Sequence, residues 1–284
     1  MRKGQYLSRQ IPCHTMESSP VLTADVNGIT IAYHDHGSGF PLVLINGFAS
    51  TMDMWSPRVL GALEDRFRVI IFDHRGTGYS SASDDPFSIP LFADDTLALM
   101  DALGISRAHI LGLSMGASVA QELALSRPER VDRLILVAGT CGGREAVQMA
   151  PEVWQTLSDK SGTGLDLANR MFSVLFTKDW LAAHDPWMFC PDVHETVSEA
   201  GAARQAEAFY TWPGSYGRLP QIRLPTLIIT GTDDVVIPPA NAVTLAERIP
   251  GARLEQFPGA GHGLMYQCPA EFAKVVREFL GIQS

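Results

Sequence analysis

The sequence predicts an α/β protein with a mainly parallel, eight-stranded sheet and helices on both of its faces. Short, almost continuously apolar runs rich in β-branched residues alternate with segments of helical periodicity, which is typical of parallel strands buried between two helix layers. An Asn27-Gly28 turn between the first two runs predicts an opening hairpin. The alternation stops once, over residues 141–218, where helical patches with few β-branched runs predict a helical lid inserted after the sixth strand.

The predicted strands follow one another along the chain and are separated by turn residues. The hairpin consists of the runs VLTADV and ITIAYH, and six further apolar runs follow it. Those six runs cover residues 41–45, 67–72, 108–113, 132–138, 225–230 and 252–257. Apolar residues at i, i+3 and i+4 spacing predict helices between most of them, for example over residues 91–104, where the pattern closes on a glycine.

These patterns divide the chain into a leader, a core and a lid. Residues 1–20 predict a flexible leader, because they carry positive charge but lack the continuous apolar run of a signal peptide. The predicted core comprises residues 21–140 and 219–284, and the predicted lid comprises residues 141–218. Whether translation starts at the first methionine or at Met16 stays open.

Composition and charge disfavour several classes of function. Of the 284 residues, 46% are hydrophobic and 19% charged, as in soluble globular proteins, and no apolar run approaches the ~18 residues of a transmembrane helix. The formal net charge is −9 and the basic residues are scattered, so neither nucleic acid nor a membrane is an expected partner. The four cysteines lie far apart without a C-x-x-C pair, which predicts reduced thiols and a cytoplasmic location. The oligomeric state stays open.

The segment HILGLSMGASVAQ, residues 109–121, contains the pattern G-x-S-x-G around Ser114. It lies where a predicted strand becomes a predicted helix, the setting in which this pattern presents a nucleophilic serine on a sharp, strained turn. Glycines two residues to either side of the serine permit that tight turn. In the alternative interpretation, Ser114 only caps the helix that follows. The position of the pattern favours the nucleophile.

A serine nucleophile needs an imidazole that accepts its proton and a carboxylate that orients the imidazole. His262 is the predicted base, because it follows the last predicted strand in the glycine-rich loop FPGAGHGLMYQCP. His74 also follows a strand, but it would require the chain order base, nucleophile, acid. The other six histidines lie in the leader, the hairpin, a strand or the lid, where a catalytic position is not expected.

The predicted acid lies in the loop that follows the run LIITG. Two adjacent carboxylates, Asp233 and Asp234, stand at this strand end before a helix opened by proline, and spacing alone leaves the choice between them open. The loop after the preceding strand offers no acidic residue before Glu145, which favours the later loop.

Together these residues resemble the α/β-hydrolase fold superfamily, over nearly all of the chain from about residue 22. The resemblance rests on the chain order serine, aspartate, histidine and on the segments HGSGFPLVLINGF, FDHRGTGYSS, GTDDVVIPP and GAGHGLMYQCPAEF. It implies that Asp234, three residues after the glycine of a G-x-x-D-x-x-x-P pattern, is the acid. It also implies that the backbone N–H groups of Phe48 and Met115 form the oxyanion hole.

The loop after the third strand departs from the family pattern at one position. Asn46 stands before Gly47, where the family usually has His-Gly. Because the backbone N–H groups stabilise the oxyanion, this exchange is expected to spare the hole and to change only how the loop is braced. The resemblance is strongest to lid-bearing serine esterases, lactonases and perhydrolase-like enzymes. Haloalkane dehalogenases and epoxide hydrolases are disfavoured, because their nucleophile is an aspartate.

The expected activity is hydrolysis of a carboxylic ester, lactone or thioester of a small to medium, moderately apolar molecule through an acyl-serine. No cofactor and no metal are expected, because the chain has no H-E-x-x-H, cysteine cluster or dinucleotide fingerprint. Trp154, Phe176, Trp187 and Leu264 are the expected substrate-binding residues. Three alternatives stay open: a carbon–carbon bond hydrolase, a perhydrolase or acyltransferase, and a ligand receptor with slow hydrolase activity that uses its lid as an interaction surface.

Overall fold

The computed structural model describes residues 20–281, and within them eight strands form a single sheet. The strands are β1 (Leu22–Val26), β2 (Ile29–Gly37), β3 (Phe40–Ile45), β4 (Phe67–Phe72), β5 (Ala108–Leu113), β6 (Val131–Val137), β7 (Thr226–Gly231) and β8 (Arg253–Phe257). Their order across the sheet is β1-β2-β4-β3-β5-β6-β7-β8. The pairs β1–β2 and β2–β4 are antiparallel and all other pairs are parallel, which confirms the predicted mainly parallel sheet.

The opening hairpin has the predicted two-residue turn. Asn27 and Gly28 have φ angles of 47° and 73°, so both lie in the left-handed region. A two-residue turn of this kind matches the twist of the strands it joins. Val26 therefore pairs directly with Ile29, and the hairpin confirms the prediction.

Helices connect most of the strands in the described range. They are α1 (Pro57–Glu64), α2 (Ile89–Ala102), α3 (Met115–Ser126), α4 (Pro151–Ser158), α5 (Gly164–Leu175), α6 (Lys178–Ala183), α7 (Glu199–Tyr210), α8 (Ala240–Arg248), α9 (Leu264–Gln267) and α10 (Pro269–Phe279). The helix predicted over residues 91–104 corresponds to α2. It begins earlier than predicted because the Ser88 side chain accepts a hydrogen bond from the Leu91 N–H and caps the helix.

The sheet is buried on both faces, which explains why its strands are apolar almost throughout. Side chains alternate along β3, so that Leu42 and Leu44 enter one apolar cluster while Val43 and Ile45 enter the other. Helices α2, α3 and α8 complete the cluster on one face, and α1 and α10 complete the cluster on the other. The carboxyl ends of the parallel strands thus meet at one edge of a sheet that has helices packed on both faces.

Helices α4 to α7 lie between β6 and β7, within the region predicted as a lid, residues 141–218. This region is called the insertion from here on. No helix of residues 20–281 has the length and apolar character needed to cross a membrane. Residues 1–19 lie outside the described residues, and with them nearly all of the predicted leader and both alternative start positions.

Candidate active site

Ser114 occupies a strained turn between β5 and α3. Its φ and ψ angles are 55° and −117°, a combination that residues with a side chain rarely adopt. The Ser114 N–H donates to the carbonyl of Val137 over 2.8 Å, which fixes the turn to β6. A Cβ on Gly112 would collide with the Gly116 carbonyl, and one on Gly116 would collide with the Ile45 carbonyl. Both glycines of the G-x-S-x-G pattern are therefore required by close backbone packing.

The serine side chain does not serve as a helix cap. Ser114 stands at the N-cap position of α3, yet its side chain accepts no capping hydrogen bond. The geometry therefore gives no support to the interpretation in which this serine only starts a helix. Its hydroxyl is left at the carboxyl edge of the sheet, where partly exposed side chains can reach a ligand.

The structure brings His262 together with Asp234. The Nδ1 atom of His262 lies 2.8 Å from Oδ2 of Asp234, whose side chain is fully buried. The other carboxylate oxygen, Oδ1, accepts hydrogen bonds from the N–H groups of Val236 and Ile237 over 2.9 and 2.8 Å. Asp233 is exposed instead. Of the two adjacent aspartates, the structure thus places Asp234 against the imidazole, with its carboxylate held on both oxygens.

The loop that carries His262 is held by the insertion. The Gly263 N–H donates to the carbonyl of Leu175, at the end of α5, over 2.8 Å. A Cβ on Gly261 would press on that same carbonyl, and a Cβ on Gly263 would collide with the ring of Phe176. The glycines around the histidine therefore permit close contact with α5. Sequence reasoning missed this contact, although the Gly-x-Gly spacing was its signal.

The loop after β3 approaches Ser114 from the other side. A Cβ on Gly47 would lie 3.8 Å from the Ser114 hydroxyl oxygen, so this backbone runs alongside the serine. Within the described range, the N–H groups of Phe48 and Met115 donate to no acceptor. Met115 is the first residue of α3, and the first N–H groups of a helix have no partner within it. These two N–H groups belong to the residues that directly follow Gly47 and Ser114, and their role as an oxyanion hole stays a prediction.

Asn46 and His74 brace that loop. The side-chain amide nitrogen of Asn46 donates to the backbone carbonyl of Phe72 over 3.2 Å. The backbone carbonyl of Asn46 lies 3.1 Å from Nε2 of His74. Complete burial lowers the pKa of His74, so its ring is neutral and Nε2–H is the donor in this contact. His74 is therefore a support of the loop in the structure rather than a partner of Ser114.

The turn after β4 is a second buried support. Asp73 accepts the N–H of Met52 through Oδ1 over 2.8 Å and the N–H of Tyr79 through Oδ2 over 3.0 Å. Arg75 forms a buried ion pair with Asp95, in which Nη2 lies 2.6 Å from Oδ1. The turn formed by the DHRGTG segment, residues 73–78, thus ties the segment after β3 to the segment after β4.

The Ser114 hydroxyl and His262 are not joined by a hydrogen bond in the structure of residues 20–281. The imidazole is held through Nδ1, which leaves Nε2 as its free nitrogen. In ligand-free hydrolases the bond between serine and histidine is often long and tightens only when a substrate is bound. The supports of both residues, at Val137 and at Leu175, are already formed.

The four expected substrate-binding residues occupy different environments. Phe176 is buried and lies against Gly263, next to the predicted base. Leu264 is fully buried in the apolar cluster on the α1 and α10 face. The structure therefore brings Phe176 to the His262 loop and places Leu264 in the core just behind it.

The two expected tryptophans lie farther out on the insertion. Trp154 is 47% exposed and packs edge-to-face on Tyr210, with 5.4 Å between ring centroids. Trp187 is 55% exposed and packs edge-to-face on Phe172, with 4.9 Å between ring centroids. No described contact joins either tryptophan to Ser114 or His262, so their role in binding stays a prediction.

Three known proteins are similar to the chain along most of its length. "Putative carbamate hydrolase RutD" of Caulobacter sp. (strain K31) is 32% identical over 244 residues, which cover 84% of this chain and 90% of that protein. "Putative non-heme bromoperoxidase BpoC" of Mycobacterium tuberculosis (strain CDC 1551 / Oshkosh) is 32% identical over 258 residues, covering 85% and 94%. The crystal structure of the enol-lactonase from Burkholderia xenovorans LB400 matches with a TM-score of 0.78 and 30% identity, covering 92% and 100%.

The sequence model of the alpha/beta hydrolase family matches residues 42–275. This range begins in β3 and ends in α10, so it includes the serine turn, both supporting loops and the insertion. The match confirms the resemblance that the sequence motifs indicated. The chain belongs to the alpha/beta hydrolase family.

Proposed function

We propose that the protein is a serine hydrolase that cleaves a carboxylic ester, lactone or thioester through an acyl-serine intermediate. The observation that carries this proposal is the contact between His262 and Asp234 at the same sheet edge as the strained turn of Ser114. An aspartate that accepts the Nδ1–H of the imidazole leaves Nε2 unprotonated and able to accept a proton. Family membership supports a hydrolase in general and leaves the substrate to experiment.

The first half of the proposed reaction acylates Ser114. The serine oxygen attacks the substrate carbonyl carbon while His262 Nε2 takes the hydroxyl proton. The carbonyl electron pair moves to oxygen, and the N–H groups of Phe48 and Met115 donate to the resulting oxyanion. When the carbonyl forms again, the bond to the alcohol or thiol breaks, and that leaving group takes the proton from His262.

The second half releases the acid. A water molecule gives a proton to His262 and attacks the acyl carbon, so that a second oxyanion forms in the same place. Its collapse breaks the bond to Ser114, which regains its proton from His262. Asp234 holds Nδ1–H of His262 and stabilises the imidazolium that forms in each half. No other co-reactant enters this balance.

We infer an uncharged, moderately apolar substrate from the side chains beside the base. Phe176 lies against the His262 loop, and it packs in turn on Trp180 with 4.7 Å between ring centroids. An aromatic wall of this kind favours apolar acyl or alcohol groups. Similarity to an enol-lactonase favours lactones among the possible esters, and similarity to a protein named as a carbamate hydrolase adds carbamates to the panel worth testing.

Acyl transfer to peroxide is the second candidate function, and similarity to a protein named as a bromoperoxidase favours it. Peroxide in place of water in the second half would release a peracid from the same acyl-serine. Both candidate functions use the same residues, so they differ only in how the acyl group is divided between water and peroxide. Measuring acid and peracid from one ester at increasing peroxide concentration distinguishes them.

The direct test of the proposal is an activity screen on p-nitrophenyl esters of graded chain length, lactones and carbamates, with covalent labelling by an organophosphonate. Burial raises the thiol pKa of Cys141 and Cys268 and raises that of Cys190 to about 11, which disfavours the thiolate form of these three described cysteines during labelling. Labelling of Ser114 and turnover of at least one ester class are expected. Absence of both across the panel would refute the proposal and favour a ligand receptor.

A further inference from the structure

The insertion reaches the loop after β3 through one buried side chain. Gln205 lies on α7 and is fully buried. Its Oε1 atom accepts a hydrogen bond from the Ala49 N–H over 2.9 Å, across 156 positions of sequence. Ala49 directly follows Phe48, whose N–H is one of the two predicted oxyanion donors. A side chain of the insertion therefore holds the residue next to a proposed oxyanion donor.

The residue that Gln205 holds has an unfavourable backbone conformation. Ala49 has a φ angle of 49°, in the left-handed region that residues with a Cβ rarely adopt. Such a conformation persists only where surrounding contacts determine it. The hydrogen bond from the Ala49 N–H is the contact through which α7 does so. Without it, the peptide between Phe48 and Ala49 is free to relax. The Phe48 N–H lies in the preceding peptide, so it is affected only as far as the Phe48 backbone moves with that relaxation.

The other end of the Gln205 amide shows what this residue contributes. Only the oxygen of an amide accepts a hydrogen bond, so the bond from Ala49 determines which way the group points. Within the described residues, Nε2 is buried and has no hydrogen-bond partner. A buried, unpaired donor costs stability, whereas an apolar side chain would avoid that cost. A glutamine at this position is therefore explained by its Oε1 atom, which accepts the hydrogen bond from the loop after β3.

Helix α7 is itself fixed on the core near this contact. A Cβ on Gly201, one turn earlier, would collide with the Gly76 carbonyl, so the helix and the DHRGTG turn are in direct backbone contact. Arg204 Nη2 donates to the Ser83 carbonyl over 2.7 Å. The close backbone contact at Gly201 gives Gln205 a defined position from which to hold Ala49, whereas Arg204 binds a different segment of the core.

We propose that Gln205 is a positioning residue for the oxyanion hole, which supports the backbone of Phe48 through the hydrogen bond that Gln205 accepts from the Ala49 N–H. The inference rests on the proposed serine hydrolase function. Gln205 acts through Ala49 and does not touch the reacting atoms. Its loss is expected to weaken stabilisation of the oxyanion while leaving binding of the ground-state substrate unchanged.

The test compares three variants of the full chain with wild type. Gln205→Met keeps the shape of the side chain but removes the oxygen acceptor, and Gln205→Glu keeps an oxygen at the same reach. Arg204→Met is the matched control, because it removes a contact between the same helix and the core without touching the loop after β3. The measurements are kcat and KM for one aryl ester, and the affinity for a trifluoromethyl ketone that forms a tetrahedral oxyanion on the serine.

For Gln205→Met we expect a fall in kcat of roughly 10- to 100-fold with KM within about twofold, because a misdirected donor loses part of what a deleted donor loses. Affinity for the ketone should fall by the same factor. Gln205→Glu should recover most of the loss, and Arg204→Met should keep wild-type kcat. If Gln205→Met does not fold, Gln205→Asn replaces it, since its shorter amide does not reach Ala49.

Wild-type kcat in the folded Met or Asn variant would overturn the inference, as would an equal loss in Arg204→Met or an unchanged affinity for the ketone. Failure of the underlying function shows differently. In that case Ser114→Ala would keep the turnover of wild type, whatever the Gln205 variants do.

Discussion

The carboxyl group of Glu195, on the insertion, lies against the carboxyl group of Asp73, in the turn after β4. A Cβ on Gly78 would collide with both Oε2 of Glu195 and Oδ2 of Asp73, so these two carboxyl oxygens lie close to each other beside Gly78. Both side chains are buried. Asp73 accepts two backbone N–H groups, which favours its ionised form, so the proton that the pair needs resides on Glu195. Burial, together with the neighbouring carboxyl group of Asp73, raises the pKa of Glu195 to about 9.

The first prediction is a pH-dependent gain in stability for Glu195→Gln. Between pH 4.5, the ordinary pKa of glutamate, and about 9, the folded protein holds a proton that the unfolded chain releases, so the free energy of unfolding falls as pH rises. Glutamine keeps a donor toward Asp73 and needs no proton. Denaturant unfolding should show a gain over wild type that is near zero at pH 4.5 and grows up to pH 9.

Glu207→Gln is the control for this experiment, because Glu207 lies on α7 but is exposed. Its difference from wild type should stay constant across the same pH range. A gain for Glu195→Gln that is equally constant would show that Glu195 is ionised in the folded protein.

The second prediction concerns the nucleophile. Ser114→Ala should abolish labelling by an organophosphonate and lower turnover by several orders of magnitude, because no acyl-enzyme can form. The remaining rate should not exceed the roughly 10³- to 10⁴-fold advantage over water that binding and the oxyanion hole sustain. Mass spectrometry of the intact protein measures the labelling. Full labelling of the variant would refute the assignment.

The third prediction separates the adjacent aspartates. Asp234→Asn should lower kcat by roughly 10⁴-fold, because an amide in place of the carboxylate favours the wrong tautomer of His262. Asp233→Asn should stay within about threefold of wild type, since Asp233 is exposed and makes no contact with the imidazole. Steady-state kinetics on one ester compares the two variants. The reverse ranking would transfer the role to Asp233.

The fourth prediction concerns Gly116, which lies two residues after the predicted nucleophile Ser114. Gly116→Ala should lower the free energy of unfolding by about 1–3 kcal/mol, because the new Cβ would collide with the backbone carbonyls of Ile45 and Asn46. Gly61→Ala is the matched control: Gly61 lies in α1, where the nearest atom to a new Cβ is a flexible side-chain oxygen 3.9 Å away. That variant should be more stable by about 0.5–1 kcal/mol. Denaturant unfolding decides, and a stabilised Gly116→Ala would contradict the close packing seen at the serine turn.

Local patterns in the sequence were sufficient for the sheet and for the turn of Ser114. Apolar runs bounded by turn residues define strands wherever both faces of a sheet are buried, and paired glycines mark the points where two backbones touch. The same signals located the loop of His262. The choice between Asp233 and Asp234 needed the family resemblance, because neighbouring side chains at a strand end differ in direction and not in spacing.

The partners in the contacts between the insertion and the core had no such local signal: the Gly-x-Gly spacing around His262 indicates that a backbone comes close, but not which helix supplies it. The bonds that Leu175 and Gln205 make depend on where whole helices dock, and periodicity within a helix does not specify its partner. For the same reason, aromatic composition alone led to Trp154 and Trp187 as binding residues, whereas the structure shows only their packing within the insertion. The contacts of these side chains depend on how the helices of the insertion pack, which local sequence patterns do not specify.

The bond between Gly263 and Leu175 has a consequence for protein engineering. Chimeras that exchange residues 141–218 for the corresponding region of a homologue, with the aim of changing selectivity, also replace the acceptor on which the loop of His262 rests. A transplanted region whose backbone brings no carbonyl to the position of Leu175 would yield an enzyme in which His262 is displaced, whatever pocket that region provides. Grafts should therefore keep the end of α5 together with the host scaffold and vary only the helices that do not touch that loop.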